Sequence, residues 1–312
     1  MGTNDSAKKL SVIIVSYNCL EYLKDCLRSV KEKNDIGEAL EIIVVDNSTD
    51  DETVKYLRRE EKDIVCIPNE NRGFGQGNNV GAAVAGGDIL LFLNPDTVLT
   101  EPVFGWALER FEADPSLGLF GVELVGPDGK RNSSYGLRMP LGLVRTTLCN
   151  VLVFFRVFIP RIMYSSGADI FVRKKAFFDA GCFDENFFMY CEEADLLNRV
   201  NALGLKNGYY RDKKIIHLEG KTLQSNLYST YTRQMKSRKY YCEKYGLDFS
   251  AFAGKERAYC RLKAAANSLL GKKDRSREYA RIVKYWDAVL SESKEDPAVK
   301  QLQRNHNGDN KK

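Results

Sequence analysis

The sequence predicts an α/β chain: a doubly wound, mostly parallel sheet over its first two thirds, then a C-terminal helical extension. Three observations predict it. Short apolar runs alternate with segments of helical spacing through the first hundred residues. Those runs are rich in Val, Ile and Leu with little polar alternation, as strands covered on both faces are. From Leu223 onward the pattern turns helical and charged. The expected division is a sheet domain over residues 1–222 and an extension over 223–312, ending in a disordered tail, "NHNGDNKK".

The elements follow in order. "LSVIIVS" (Leu10–Ser16) reads as a buried strand, and Leu23, Cys26, Leu27 and Val30 share one face of a helix over Tyr22–Val30. "LEIIVVD" (Leu40–Asp46) is the second strand, followed by a helix capped near Thr49 or Asp50. "DIVCIP" is the third, and "GQGNNVGAAVAGG" reads as a small-residue helix able to pack close to a sheet. "DILLFL" is the fourth. After Asp114 the rhythm changes. "GPDGKR" (Gly126–Arg131) is a turn, Ala168–Val172 a strand, Lys174–Ala180 a helix, and a further helix starts near Glu192 and runs to Leu203. "KIIHLEGKT" reads as a short strand ending near His217.

Composition excludes several classes. The net charge of +5 is mild and both signs are mixed through most of the chain, which argues against nucleic acid. The eight cysteines form no CxxC pair, and with only His217 and His306 present a zinc site is not expected. The polar N-terminus predicts no secretory leader, so the thiols are expected free in a reducing cytosol. No apolar run reaches the ~20 residues of a spanning helix. The nearest, Leu141–Tyr164, is interrupted by Arg145, Arg156 and Arg161; it reads as a core helix or lid, or as a segment lying on anionic lipid.

In a parallel sheet, ligands bind at the carboxyl ends of the strands. Here four such ends are polar: Ser16-Tyr17-Asn18, Asp46-Asn47-Ser48, the Asn69–Gly77 stretch, and Asn94-Pro95-Asp96. Turn chemistry accounts for one or two of them; four together point to a ligand crevice. Asp96, behind the stiff Pro95, suits a hard cation that offsets a diphosphate, although "NPD" alone also fits a turn. His217, at the end of an apolar strand, is a candidate second ligand or a core histidine. Asp46 offers an acceptor to a nucleobase N–H, or a helix cap. "NRGFGQGNN" fails the dinucleotide fingerprint, because Gly73, Gly75 and Gly77 are spaced wrongly and follow the third strand. Its glycines instead let the chain pass close to a sugar or phosphate, with Asn71 and Asn79 offering amides. In "MYCEEADL", Glu192, Glu193 and Asp195 open a helix after an aromatic loop, "FDENFFMY". The helix dipole favours acids there, at about 0.3–1 kcal/mol each. A carboxylate in apolar surroundings also gains a raised pKa and serves as a general base.

Taken together, "SVIIVSYN", "IIVVDNSTDD", "NRGFGQGNNVG", "LFLNPDT", "GCFDENFFMYCEEADL" and "IIHLEGKT" resemble, in this order, the inverting family 2 glycosyltransferases, and are most similar to their rhamnosyltransferase-like branch. The resemblance runs from about Leu10 to Thr222. It implies a GT-A fold with a Rossmann-like nucleotide-binding half and a dTDP- or UDP-sugar donor. It places Asp46 at the nucleobase, Ser16, Tyr17, Asn18 and Asn47 along the nucleoside, and Asn71, Gly73 and Asn79 beside the ribose or sugar. Asn94 and Asp96 fall on the metal motif, His217 on a further ligand to Mg²⁺ or Mn²⁺, and Glu192-Glu193 on the family's Glu-Asp pair, with Glu193 as base. Two departures stand out: the metal motif opens with Asn94 rather than Asp, and the base is Glu rather than Asp, whose extra methylene shifts the carboxylate by ~1 Å. Asp195 is the fallback base, or orients its neighbours. The resemblance further implies a glycan or lipid-linked acceptor and a cytoplasmic protein, peripheral on the inner face of the membrane. The helical tail closes over the acceptor or makes a homodimer. Rival readings are a non-catalytic nucleotide-sugar-binding protein and a nucleotidyltransferase, the latter lacking the basic glycine-rich first loop it needs.

Overall fold

The computed structural model describes residues 8–132, 134–137, 151–152, 155–160, 162–218 and 227–295. They divide into two compact units. One comprises the described residues up to 137 together with 156–218. The other holds 227–295 with 151, 152 and 155. Most of the apolar stretch Leu141–Tyr164, the "EGKT" of residues 219–222 and the C-terminal tail lie outside the described residues.

The first unit is built on an eight-stranded sheet. Its first half is parallel: β1 (Leu10–Ser16) lies between β2 (Leu40–Asp46) and β4 (Ile89–Leu93), with β3 (Val65–Pro68) outside β2. Apolar residues point both ways from these strands. Leu10, Val12, Ile14, Ile42, Val44 and Leu91 pack against α1 (Leu20–Glu32), α2 (Glu52–Glu60) and α4 (Phe104–Ala113). Ile13, Ile43, Val45, Leu90 and Phe92 pack on the other face, against α3 (Phe74–Val84), α5 (Lys174–Asp179) and α6 (Glu192–Ala202). Each such side chain taken out of water contributes about 1.5–3 kcal/mol, which is why near-continuous apolar runs fold as double-faced strands. The small residues of α3 do what their size allows. A Cβ on Gly81 would stand 2.5 Å from Ile13 Cγ2, and one on Gly77 would stand 2.9 Å from Val15 Cγ1.

Several boundaries differ from the expectation. The second helix begins at Glu52 with Asp51 at the N-cap position, and Asp50 Oδ1 accepts from Glu52 N at 3.1 Å. The third strand is only four residues and is partly exposed at the sheet edge. The short strand expected before His217 is a twelve-residue strand, β10 (Lys206–His217). It runs parallel to β6 (Leu117–Val125), with a register shift between Tyr210 and Lys214. That irregularity and the polar run "YYRDKK" hide its length in the sequence. The turn at Gly126–Arg131 is present and is closed by Gly126 N donating to Lys130 O at 2.6 Å.

The second half of the sheet is mixed in direction. β9 (Asp169–Arg173) lies antiparallel between β4 and β6. β5 (Thr97–Leu99) pairs antiparallel with the last residues of β10, so His217 stands opposite Thr97. A small ribbon, β7 (Tyr135–Leu137) with β8 (Met163–Ser165), completes this unit.

Residues 227–295 of the second unit form α7 (Leu227–Lys244), α8 (Phe249–Leu269) and α9 (Lys273–Glu295). Its core holds Met235, Cys242, Phe252, Cys260, Ile282 and Trp286. Glu256 is buried there and accepts from Tyr231 OH at 2.6 Å, while Trp286 Nε1 donates to the same hydroxyl at 3.2 Å.

Candidate active site

The expected site residues lie where four strands end. The tips of β1 and β2 are tied together. Asn18 takes a left-handed backbone (φ 49°), its N–H donates to Ser48 Oγ at 2.9 Å, and its Oδ1 accepts from Thr49 N at 3.1 Å. Asparagine tolerates this conformation better than a bulkier residue. Ser48 Oγ donates in turn to Asp46 Oδ1 at 2.6 Å. Burial pushes the Asp46 carboxyl up, and the hydrogen bonds from Ser48 and Ser16 oppose it. Ser16 is buried at the β1 tip, and Tyr17 beside it is exposed.

A second polar cluster follows. Asn69 Nδ2 donates to Asn47 Oδ1 and to Gln76 Oε1, both at 2.8 Å. Asn71 Oδ1 accepts from Gly73 N at 3.3 Å. Gly73 has φ +112°, and a Cβ there would fall 2.4 Å from the Phe188 carbonyl oxygen, so only glycine fits between this loop and residue 188. Asn79 is used within the fold. Its Nδ2 donates to Phe183 O at 2.9 Å, and its Oδ1 accepts from Phe183 N at 2.9 Å, clamping the loop that leads to Glu192.

The opening of β5 holds Asp96. The carboxylate is 4% exposed, and its Oδ1 lies 3.3 Å from His217 Nε2. The pairing follows from topology: Leu218 N donates to Asp96 O at 3.0 Å, and Asn132 Nδ2 donates to His217 O at 2.7 Å. His217 Nδ1 is buried without a hydrogen-bond partner among the described residues. Among those residues no group of three or more His, Cys, Asp or Glu gathers as a closed metal site. Asp96 and His217 thus bring one carboxylate oxygen and one imidazole nitrogen within 3.3 Å, donors that suit part of a divalent cation's shell. Asn94 is held by its backbone, its N–H donating to Ala168 O at 3.0 Å and its carbonyl accepting from Thr97 Oγ1 at 2.8 Å.

The acidic helix start approaches the same edge through Gly167 and Ala168. A Cβ on Gly167 would stand 3.0 Å from Glu193 Cγ and Oε1, and Gly167 N–H hydrogen-bonds the Glu193 carboxylate. The next residue, Ala168, accepts from Asn94. Glu193 and the Asp96 loop are thus anchored to adjacent residues. Tyr190 and Cys191 both have positive φ, 71° and 72°, a costly turn for bulky side chains immediately before Glu192. Glu192 Oε2 and Glu193 Oε2 are buried without a hydrogen bond among the described residues. Burial raises both carboxyls, Glu192 strongly and with added repulsion from Glu193. Asp195 is different. It is fully buried, and Arg199 Nη2 lies 2.7 Å from its Oδ2, while Arg199 Nη1 donates to Ala180 O and to Cys182 O. Asp195 holds the loop before the pair.

Two further acids line the same part of the sheet and escape a reading of the sequence. The β6–β9 pairing stops at Phe120 and Phe171, and the Asp169 carboxylate fills the gap beyond. Its Oδ2 accepts from Val122 N at 2.6 Å, and its Oδ1 is buried without a partner. Glu123 is buried on β6, and its Oε1 makes no hydrogen bond among the described residues and lies 4.0 Å from Arg156 Nη1, an ion pair. The available signal is a carboxylate inside an apolar run, in "DIFV" and "LFGVELV".

Comparisons with known proteins show what the chain resembles. A family model described as glycosyl transferase family 2 matches residues 11–180. The chain is 26% identical over 224 residues to the rhamnosyltransferase WbbL of Escherichia coli (strain K12), covering 66% of this chain and 82% of that protein. It is 25% identical over 238 residues to the N-acetylglucosaminyl-diphospho-decaprenol L-rhamnosyltransferase of Mycobacterium tuberculosis (strain CDC 1551 / Oshkosh), covering 67% and 75%. Among solved structures it is similar to the mannosyltransferase PcManGT from Pyrobaculum calidifontis in complex with GDP-Man and Mn²⁺. That likeness has a TM-score of 0.55 at 16% identity, over 96% of this chain and 79% of that one. GalNAc-T7 with UDP, GalNAc and Mn²⁺ superposes with a TM-score of 0.52 at 16% identity, over 74% of this chain and 48% of that one. At such identity these two likenesses carry the fold alone, and that fold is GT-A.

Proposed function

The chain belongs to glycosyl transferase family 2, and on that premise we propose that it transfers rhamnose or a similar hexose, with inversion, from a dTDP- or UDP-sugar to a hydroxyl. The acceptor is a glycan or a lipid-linked sugar. The mycobacterial relative, whose name specifies a diphospho-polyprenol acceptor, supports the second form. One observation carries the reading: Asp96 and His217 meet at one strand end, and Gly167–Ala168 links that end to the Glu192–Glu193 pair, whose Oε2 atoms are buried.

In this reading Asp46 and the Ser16–Asn18 tip receive the nucleobase and nucleoside, with Asn47 and Asn71 beyond them. Asp96 and His217 hold Mg²⁺ or Mn²⁺. When bound, the cation offsets charge on the departing nucleoside diphosphate. Glu193, which falls on the family's base position and whose carboxylate takes the Gly167 N–H, serves as the base, with Glu192 buried beside it. Glu193 takes the proton of the acceptor hydroxyl as that oxygen attacks the anomeric carbon, and the carbon–oxygen bond to the diphosphate breaks on the opposite face.

The test uses purified protein, Mn²⁺ and a panel of nucleotide sugars with a short-chain polyprenyl-diphosphate sugar as acceptor. Release of nucleoside diphosphate is expected. Glu193→Gln should lower kcat by ~100-fold or more and leave donor binding intact. Because the folded pair titrates above the ordinary carboxylate range, kcat/KM should rise with pH through that raised value and then level off. Full activity in Glu193→Gln would remove this residue from the role.

A further inference from the structure

The helical unit carries a feature that sugar transfer does not use. Residues 227–295 hold sixteen Lys and Arg against eight Asp and Glu, an excess larger than the +5 of the whole chain, so the remainder is net acidic. The positive charge concentrates at the turn joining α8 to α9, "SLLGKKDRSR". Two adjacent leucines stand bare at its apex, Leu269 at 90% exposure and Leu270 at 68%. Leu262, two helical turns earlier and on the same side of α8, is also exposed. Isolated surface leucines are ordinary, but an adjacent pair almost wholly in water is not.

The apex is held in one shape. Gly271 sits at φ +71°, Gly271 N donates to Ser268 O at 3.0 Å, and Lys272 N donates to Asn267 O at 2.8 Å. This double bond pattern is a full Schellman closure of α8. Ser276 Oγ then donates to Ala264 O at 2.9 Å, pinning the first turn of α9 to α8. The leucines are therefore presented by a fixed turn. Around them Lys272, Lys273, Arg275 and Arg277 are all exposed. Only Arg277 has an acidic ion-pair partner among the described residues, Asp274.

We propose that this apex is a membrane-docking tip: Leu269 and Leu270 enter the acyl boundary of an anionic bilayer while Lys272, Lys273, Arg275 and Arg277 contact the lipid phosphates. Apolar side chains at a point, ringed by flexible cations, suit the boundary between headgroups and chains. A nucleic acid or an acidic protein would use the cations and leave the leucines in water. No helix among the described residues is long and apolar enough to cross a membrane.

The test is co-sedimentation of the full chain with phosphatidylcholine vesicles, with and without phosphatidylglycerol, and with no nucleotide sugar present; failure here is thus independent of the catalytic reading. The wild type should pellet with anionic vesicles only and be released as salt is raised from about 0.05 M to about 0.5 M. Leu269→Glu with Leu270→Glu should weaken partitioning by about ten-fold or more, and Lys272→Glu with Lys273→Glu should do likewise. Since all four side chains are exposed, both variants should keep the wild-type circular dichroism spectrum and Tm. Three results would overturn the proposal: a wild type that stays in the supernatant with anionic vesicles, a double-leucine variant that binds vesicles as well as the wild type, or duplex DNA binding unaffected by the leucine changes in a protein that ignores lipid.

Discussion

Asp169 shows what a single buried carboxyl can do to a sheet. Ladder hydrogen bonds between β6 and β9 give out at Phe171, and one carboxylate oxygen takes the Val122 N–H that would otherwise be orphaned. Complete burial pushes this carboxyl well above the ordinary range, with the Val122 N–H opposing. The folded state therefore holds a proton that the unfolded chain has released. Stability from this group is fully present below the unfolded value of about 3.9 and is lost as pH rises through the raised folded value. An asparagine keeps the acceptor for Val122 and does not ionise. We expect Asp169→Asn and the wild type to be similarly stable near pH 4. A gap in favour of the variant should then open with pH, by at most ~1.4 kcal/mol per unit until the folded carboxyl ionises. Urea unfolding at several pH values measures it; a gap independent of pH would mean that Asp169 is ionised in the fold.

At the scale of elements, the Asp96–His217 meeting is a product of strand order. β5 and β10 are separated by more than a hundred residues, and they pair only because β10 returns as the neighbour of β6 and offers its free edge to β5. Removing either side chain should leave that pairing intact, because the backbone bond from Leu218 to Asp96 remains. Asp96→Ala and His217→Ala are each expected to weaken Mn²⁺-dependent donor binding by ~10-fold or more, with little change when EDTA is present. Titration calorimetry with and without metal separates the two. Equal loss in both conditions would make the pair structural.

At the scale of the whole molecule, each unit carries its own core and one of the two tryptophans, Trp106 beside the sheet and Trp286 in the helical unit. Among the described residues the helical unit buries far fewer large apolar side chains than the sheet unit, so it has less interior from which to draw stability. Trp106→Phe, which leaves Trp286 as reporter, should therefore show a lower urea midpoint than Trp286→Phe, which reports the sheet unit. Coincident midpoints would mean that the units unfold together.

Much of this molecule was legible in the chain itself. Unbroken Val, Ile and Leu runs in β1, β2 and β4 determined double-faced strands, since burial on both faces leaves no other pattern, and their polar ends marked the edge where Asp46 and Asp96 stand. β10 is longer than the short strand expected before His217, because the polar run "YYRDKK" breaks the periodicity that identifies a strand, and two glycines and Glu123 interrupt the apolar run of β6. Asn79 and Asp195 show the deeper limit. In sequence each is an available polar group beside a motif, but tertiary packing places backbone carbonyls or a guanidinium against them and takes up their hydrogen bonds. The sequence alone determined which faces of which elements are apolar, because that depends on local spacing. Only the tertiary structure decided which polar groups are left unpartnered, because a hydrogen bond to a distant residue exists only once the strands have taken their order.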